Sequence, residues 1–107
     1  MNREAIRERY LQDTFPKRLM ALAANFGRIS SFSRRGKNIA LIKGLIEESE
    51  YFIEWTALEA PFPLQAELIE LQIQLALRLR KIDNASELDS LALEAQSWAE
   101  KLLEIVA

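Results

Sequence analysis

The sequence predicts an all-α fold: four main antiparallel helices in an up-down bundle, preceded by a short N-terminal helix that is kinked or broken at Pro16. Leucine and alanine are abundant, whereas valine occurs once and threonine twice, and this composition favours helix over strand. Apolar residues recur at spacings of three and four, and no long segment alternates apolar and polar residues. A chain of 107 residues has the size of one domain, so we expect residues 1–107 to share a single core.

The first two predicted helices meet at a proline. Residues 2–13 form a short, highly charged helix, which Pro16 ends or kinks because proline lacks an amide hydrogen. Proline is well tolerated in a first helical turn, so we expect Pro16 to open the second helix. Gly27 offers an early end, but the pattern continues and predicts a helix to about residue 31. Its apolar stripe has steps of 4, 3, 4 and 3 and consists of Phe15, Leu19, Leu22, Phe26 and Ile29.

Two prolines separate the third predicted helix from the fourth. The third spans residues 37–59 and stops before Pro61 and Pro63, and the fourth opens at Pro63 and ends near Asp83. The turn that follows offers two helix caps, Asn84 or Ser86, and the fifth helix runs from there to the C-terminus. The core stripe of the fourth helix is Leu64, Leu68, Leu71, Leu75, Leu79 and Ile82, and that of the fifth is Leu88, Leu91, Ala95, Trp98, Leu102 and Ile105.

The composition excludes several kinds of chemistry. The chain contains no cysteine, hence no disulfide and no thiolate metal site. It contains no histidine either, which removes the usual general base near neutral pH and the commonest ligand of transition metals. No run of 18 apolar residues and no secretory signal pattern is present. We therefore expect a cytoplasmic protein that has no cofactor and does not associate with a membrane.

Charge is distributed unevenly along the chain. Residues 1–43 carry ten Lys or Arg against three acids, whereas residues 44–107 carry four against thirteen. The two halves either attract each other within the bundle or present a basic surface to an anionic partner.

The segment SFSRRGKN, residues 31–38, concentrates the positive charge around one glycine. Its cations, together with free amides at the start of the third helix, predict a phosphate or other anion site. The alternative is a helix joint with solvated cations, since the sequence lacks the glycine-rich nucleotide fingerprints. The residues of this possible anion site are Arg28, Arg34, Arg35 and Lys37.

The third and fourth helices display apolar arcs wider than a simple bundle needs. Each carries a second apolar stripe beside its main one. Either the short first helix and the proline-rich turn cover these stripes, or another protein chain does. On the second reading the partner interface consists of Leu41, Leu45, Phe52, Trp55, Ile69, Ile73 and Leu77.

Three glutamates, Glu47, Glu50 and Glu54, lie on one side of the third helix. They suggest a carboxylate metal site, but without histidine a solvated helix face is the favoured reading.

The sequence thus predicts a non-enzymatic interaction or regulatory module. We expect it to form a homodimer or to bind a protein partner through the third and fourth helices. The alternative is an anion or nucleic-acid binder that uses the basic N-terminal half, and nucleic acid is the less favoured partner. Catalysis is the third choice.

Overall fold

The computed structural model describes residues 2–107, with the side chain of Ala85 left out. This part of the chain is helical and contains no strand, which confirms the all-α prediction. None of its helices is both long enough and apolar enough to span a bilayer. The five helices are α1 (Arg3–Gln12), α2 (Phe15–Arg35), α3 (Ile39–Ala57), α4 (Phe62–Arg80) and α5 (Ala85–Val106).

Side-chain caps and prolines define where the helices begin. The side chain of Asn2 accepts a hydrogen bond from the amide of Glu4, and Thr14 does the same for Lys17. Of the two caps predicted for α5, the structure uses Asn84, whose side chain accepts from the Ser86 amide at 3.1 Å. Prolines stand in the first turns of α2 and α4, as predicted.

The basic segment between α2 and α3 is a helix joint. Gly36 adopts the left-handed conformation, with φ 67°, and its N–H bonds to the carbonyls of Phe32 and Ser33. Asn38 is also left-handed, with φ 60°, and directly precedes α3. Glycine pays no steric cost in this conformation, so Gly36 ends α2 and reverses the chain.

The second helix is longer than the predicted end at residue 31. It continues through Gly27 to Arg35, and two serines near its end, Ser30 and Ser33, are buried instead of facing solvent. The hydroxyl of Ser30 donates to the carbonyl of Ala92 at 2.7 Å, which satisfies its polar group within the interface.

The core lies on both sides of α2. This helix packs along α5 and α3, and α4 packs on α3. The predicted stripe of α2 is buried, and Phe26 meets Trp98 of α5 edge to face with ring centroids 5.5 Å apart. Leu68 and Leu75 of α4 are fully buried against the same core.

A buried arginine joins the ends of three helices. Arg18 donates from Nε to the carbonyl of Asp13 at 3.1 Å and forms an ion pair with Glu59 just after α3. The hydrogen bond from Arg18 lowers the pKa of Glu59 below its ordinary value. Tyr10 of α1 hydrogen-bonds through its hydroxyl to Thr56 Oγ1 at 2.7 Å and to the Arg18 carbonyl at 3.2 Å. Burial raises the pKa of Tyr10 to about 12.

Two glycine substitutions should change stability in opposite directions. Gly27 lies inside a helix, and a Cβ there would meet no atom within 4 Å, so Gly27→Ala should raise the free energy of unfolding by about 1 kcal/mol. Gly36→Ala should lower it by about 1 kcal/mol, because an L-residue is strained at positive φ. Urea unfolding of both variants measures the two effects, and a shift of the same sign in both would contradict this account of the joint.

Tyr10→Phe should lower the free energy of unfolding by about 1–2 kcal/mol, because the buried Thr56 hydroxyl loses its partner. Tyr51→Phe is the matched control: this half-buried ring of α3 lies under the Arg3 guanidinium, 4.2 Å from the ring centroid. Urea unfolding compares the two, and equal effects would show that the Tyr10 hydroxyl does not anchor α1.

Candidate interaction surface

The first helix covers one side of α3. The ring of Tyr10 stacks on Phe52 with centroids 4.1 Å apart and lies 5.9 Å from the ring of Trp55. Phe52 is only 8% exposed, so its predicted role as an exposed partner contact is corrected: α1 supplies the ring that covers it. Trp55 and Leu45 are half-buried and pack against the core, whereas Leu41 stays 44% exposed.

The fourth helix packs on a different side of α3. Gln65 donates to the carbonyl of Ala57 at 2.8 Å, and Gln72 donates to that of Glu50 at 3.2 Å. Glu50 and Phe52 are two positions apart, about 200° round the helix axis. The α4 contact and the α1 contact therefore lie on nearly opposite sides of α3. The seven predicted interface residues consequently form two separate groups, one on α3 and one on α4, and not one continuous surface.

One side of α4, next to the side that contacts α3, is apolar and largely exposed. Phe62 is 79% exposed, Ile69 46%, Ile73 50% and Leu77 44%. Two exposed alanines lie in the same row. The spacing of three and four places these side chains on one stripe that follows the helix from its first residue to its last turn. We call this stripe the outer face of α4: Phe62, Ala66, Ile69, Ile73, Ala76 and Leu77.

Sequence reasoning found the centre of this face and missed its most exposed member. Phe62 stands between two prolines and was assigned to the turn. In the structure α4 begins at Phe62 itself, so the ring lies on the helix in register with Ala66 and Ile69. Ala66 and Ile69 follow Phe62 by four and seven residues, and this helical spacing is the sequence signal that places Phe62 on the same face.

The charged side chains of α4 change sign along the helix. Glu67 and Glu70 lie in its first half, whereas Arg80 and Lys81 lie at its C-terminal end, and all four side chains are exposed. Glu67 and Glu70 line the cleft between α4 and α5, so they lie on the α5 side of the outer face and not within it.

A cleft of about 370 Å³ separates α4 from α5, because these helices do not pack along their lengths. Arg78 ties them at one end, where it pairs with Glu87 at 3.0 Å and with Glu94, and also donates to Ser90 at 3.0 Å. Leu64 and Leu71 of α4 line the cleft together with Trp98, Leu102 and Ile105 of α5.

The predicted anion-site residues Arg34 and Arg35 line a shallow cavity between α2 and α5. Arg34 donates to Gln96 at 2.6 Å, and the Arg35 guanidinium lies 5.7 Å from the ring centroid of Phe32. Glu100 lies on the opposite wall and opposes the entry of an anion.

The other two predicted anion-site residues are placed differently. Arg28 donates to Oδ1 of the buried Asn25, whose amide group donates to Glu48 of α3 at 3.0 Å. Arg28 thus belongs to a polar network between α2 and α3. Lys37 is exposed in the joint. Anion binding by these four residues stays a prediction.

The acidic side of α3 is a site of electrostatic strain. Glu47, Glu50 and Glu54 surround a small cavity with Gln72, but no group of carboxylates within residues 2–107 is arranged to hold a metal ion. The Oε1 atom of Glu50 is buried, and no described residue donates a hydrogen bond to it. Burial, followed by the nearby charge of Glu47, raises the pKa of Glu50.

The chain matches no protein-family model, no curated protein and no solved structure. Among the described residues, α4 exposes more large apolar side chains than any other helix.

Glu50→Gln should stabilise the protein at pH 7. A carboxyl whose pKa rises on folding costs stability when it is ionised, so the cost is absent below the ordinary pKa of 4.5 and appears as the pH rises through the raised value. The variant should match the parent near pH 4 and exceed it in unfolding free energy at pH 7. Glu54→Gln, at an exposed position of the same helix, is the matched control and should change stability much less. A destabilised Glu50→Gln variant at pH 7 would contradict this reading.

Proposed function

We propose that this protein is a non-enzymatic interaction module with a regulatory role in the cytoplasm. In this proposal its four longer helices form an up-down bundle, and the outer face of α4 binds another protein chain. The observation that supports it is the exposed apolar row along the whole of α4, from Phe62 to Leu77.

The fold does not require these side chains to be apolar. The contact of α4 with α3 uses the neighbouring side of the helix, about 100° round the axis, where Leu68 and Leu75 are fully buried and Gln65 and Gln72 reach backbone carbonyls of α3. Each large apolar side chain of the outer face is at least 44% exposed, so polar residues there would leave the buried contacts of Leu68 and Leu75 in place. Apolar residues gain about 25 cal/mol for each Å² that a partner removes from water.

The chemistry of the face suits protein binding. It offers isoleucine and leucine methyl groups and one aromatic ring, and it has no nucleophile or titratable group. Phe62, at one end of the row, has the large flat surface that anchors many interfaces. Alanine at two positions lets the backbone of a partner helix approach closely.

Position-specific photo-crosslinking in cells that produce the protein tests the proposal. A benzophenone amino acid at position 73 should form covalent adducts with another chain. The same group at Leu93, which is 70% exposed on α5, is the matched control and should form far fewer. Ile69→Glu in the first variant should abolish the adducts, since a charge in the row opposes burial of the neighbouring positions. Far-UV circular dichroism should remain helical in all variants.

Equal labelling from positions 73 and 93, or adducts that persist with Ile69→Glu, would refute binding through this face.

A further inference from the structure

We infer that the cleft between α4 and α5 binds a small amphiphilic cation, that is, a molecule with an apolar chain and one ammonium group. This site is separate from the outer face of α4, and its ligand is a free small molecule and not a protein chain.

The cleft has the size and the lining of a small-molecule site. Its volume of about 370 Å³ falls within the range of about 300–1,000 Å³ that such sites have. It has room for about a dozen non-hydrogen atoms, because a water molecule takes about 30 Å³, and a helix about 10 Å across does not fit. Trp98 and Leu102 line it from α5, and Leu64 and Leu71 line it from α4. The cleft therefore offers a ligand an apolar surface.

Carboxylates outnumber cations in the lining of the cleft. Glu67 and Glu70 line it from α4, and Glu94 and Lys101 line it from α5, which gives three negative charges against one positive charge. Glu67, Glu70 and Lys101 form no ion pair with any described residue. Gln74 donates a hydrogen bond to Glu70 at 3.2 Å but does not neutralise it. The two carboxylates of α4 are thus available to a cationic ligand.

Arg78 at the end of the cleft does not reverse this balance. Its guanidinium pairs with both Glu87 and Glu94, so the group of three residues keeps one net negative charge. An apolar cleft with a negative lining attracts a cation whose chain leaves water, and it repels a carboxylate of the same length.

The positions of these groups set the orientation of the ligand. Glu67 and Glu70 are exposed at the rim, whereas Trp98 and Leu102 are buried in the wall. The ammonium group therefore lies beside the two carboxylates, where it stays hydrated, and the apolar chain lies against Trp98 and Leu102.

Tryptophan fluorescence tests whether the chain enters the cleft. Trp55→Phe leaves Trp98 as the sole tryptophan, and octylammonium should change its emission saturably. Trp98→Phe is the matched control, because the remaining Trp55 lies beside Tyr10, outside the cleft, and should not respond. An equal response from both tryptophans, or no saturable response from Trp98, would overturn the site.

The same titration tests the role of charge. Octylammonium should bind about tenfold more tightly than octanoate, and Glu67→Gln with Glu70→Gln should weaken its binding about tenfold. Glu8→Gln with Glu54→Gln removes the same charge at exposed positions outside the cleft and should change affinity by less than about twofold. Far-UV circular dichroism should remain helical in each variant. Equal binding of octanoate, or equal affinities of the two double variants, would overturn selection of a cation.

The cleft site and the interaction surface fail separately. Purified protein that binds octylammonium beside Trp98, but forms no adducts from position 73 in cells, keeps the cleft site and loses the outer face. The reverse result loses the cleft site alone.

Discussion

One packing constraint determines the surface of this molecule: α2 has two extensive neighbours, whereas α4 packs along α3 alone. The apolar residues of α2 are used on both sides, against α3 and against α5. Those of α4 cover a wide arc, but only the side toward α3 is filled along the helix. The cleft beside α5 and the outer face both follow from this difference. Part of the wide hydrophobic arc of α4 thus stays exposed after the core has formed, and this exposure is the observation on which the proposed second contact rests.

The wide apolar arc of α3 is partly covered by α1, and the buried Arg18 explains why α1 lies there. Its contacts with the Asp13 carbonyl and with Glu59 hold the joint between α1 and α2 beside the end of α3. The short helix α1 is thereby placed where Tyr10 stacks on Phe52. Arg18 is buried, so loss of its partners would leave an unpaired buried charge, which is costly, and these contacts therefore favour the observed position of α1.

Local sequence signals predicted most of the fold, and long-range contacts account for the failures. Prolines and caps placed the starts of α2, α4 and α5 within one or two residues, because they act on the adjacent backbone. The end of α2 was missed because Ser30 is satisfied by Ala92, which is distant in sequence. Phe52 was assigned to a partner because nothing local shows that Tyr10 covers it. Periodicity recovers which residues share a helix face, but it does not tell which helix, or which molecule, lies opposite.

Because α4 packs along α3 alone, its packing also affects how the native state fluctuates. Proteins open in cooperative segments, and those with few buried contacts open at the lowest free energy. The backbone amides of α4 are consequently expected to exchange with solvent deuterium through a partial opening that leaves the paired α2 and α5 intact. The ion pairs of Arg78 oppose this opening, since they join α4 to α5 at one end of the cleft. A chain bound to the outer face, as proposed, would slow exchange in α4 and leave exchange in α2 and α5 unchanged.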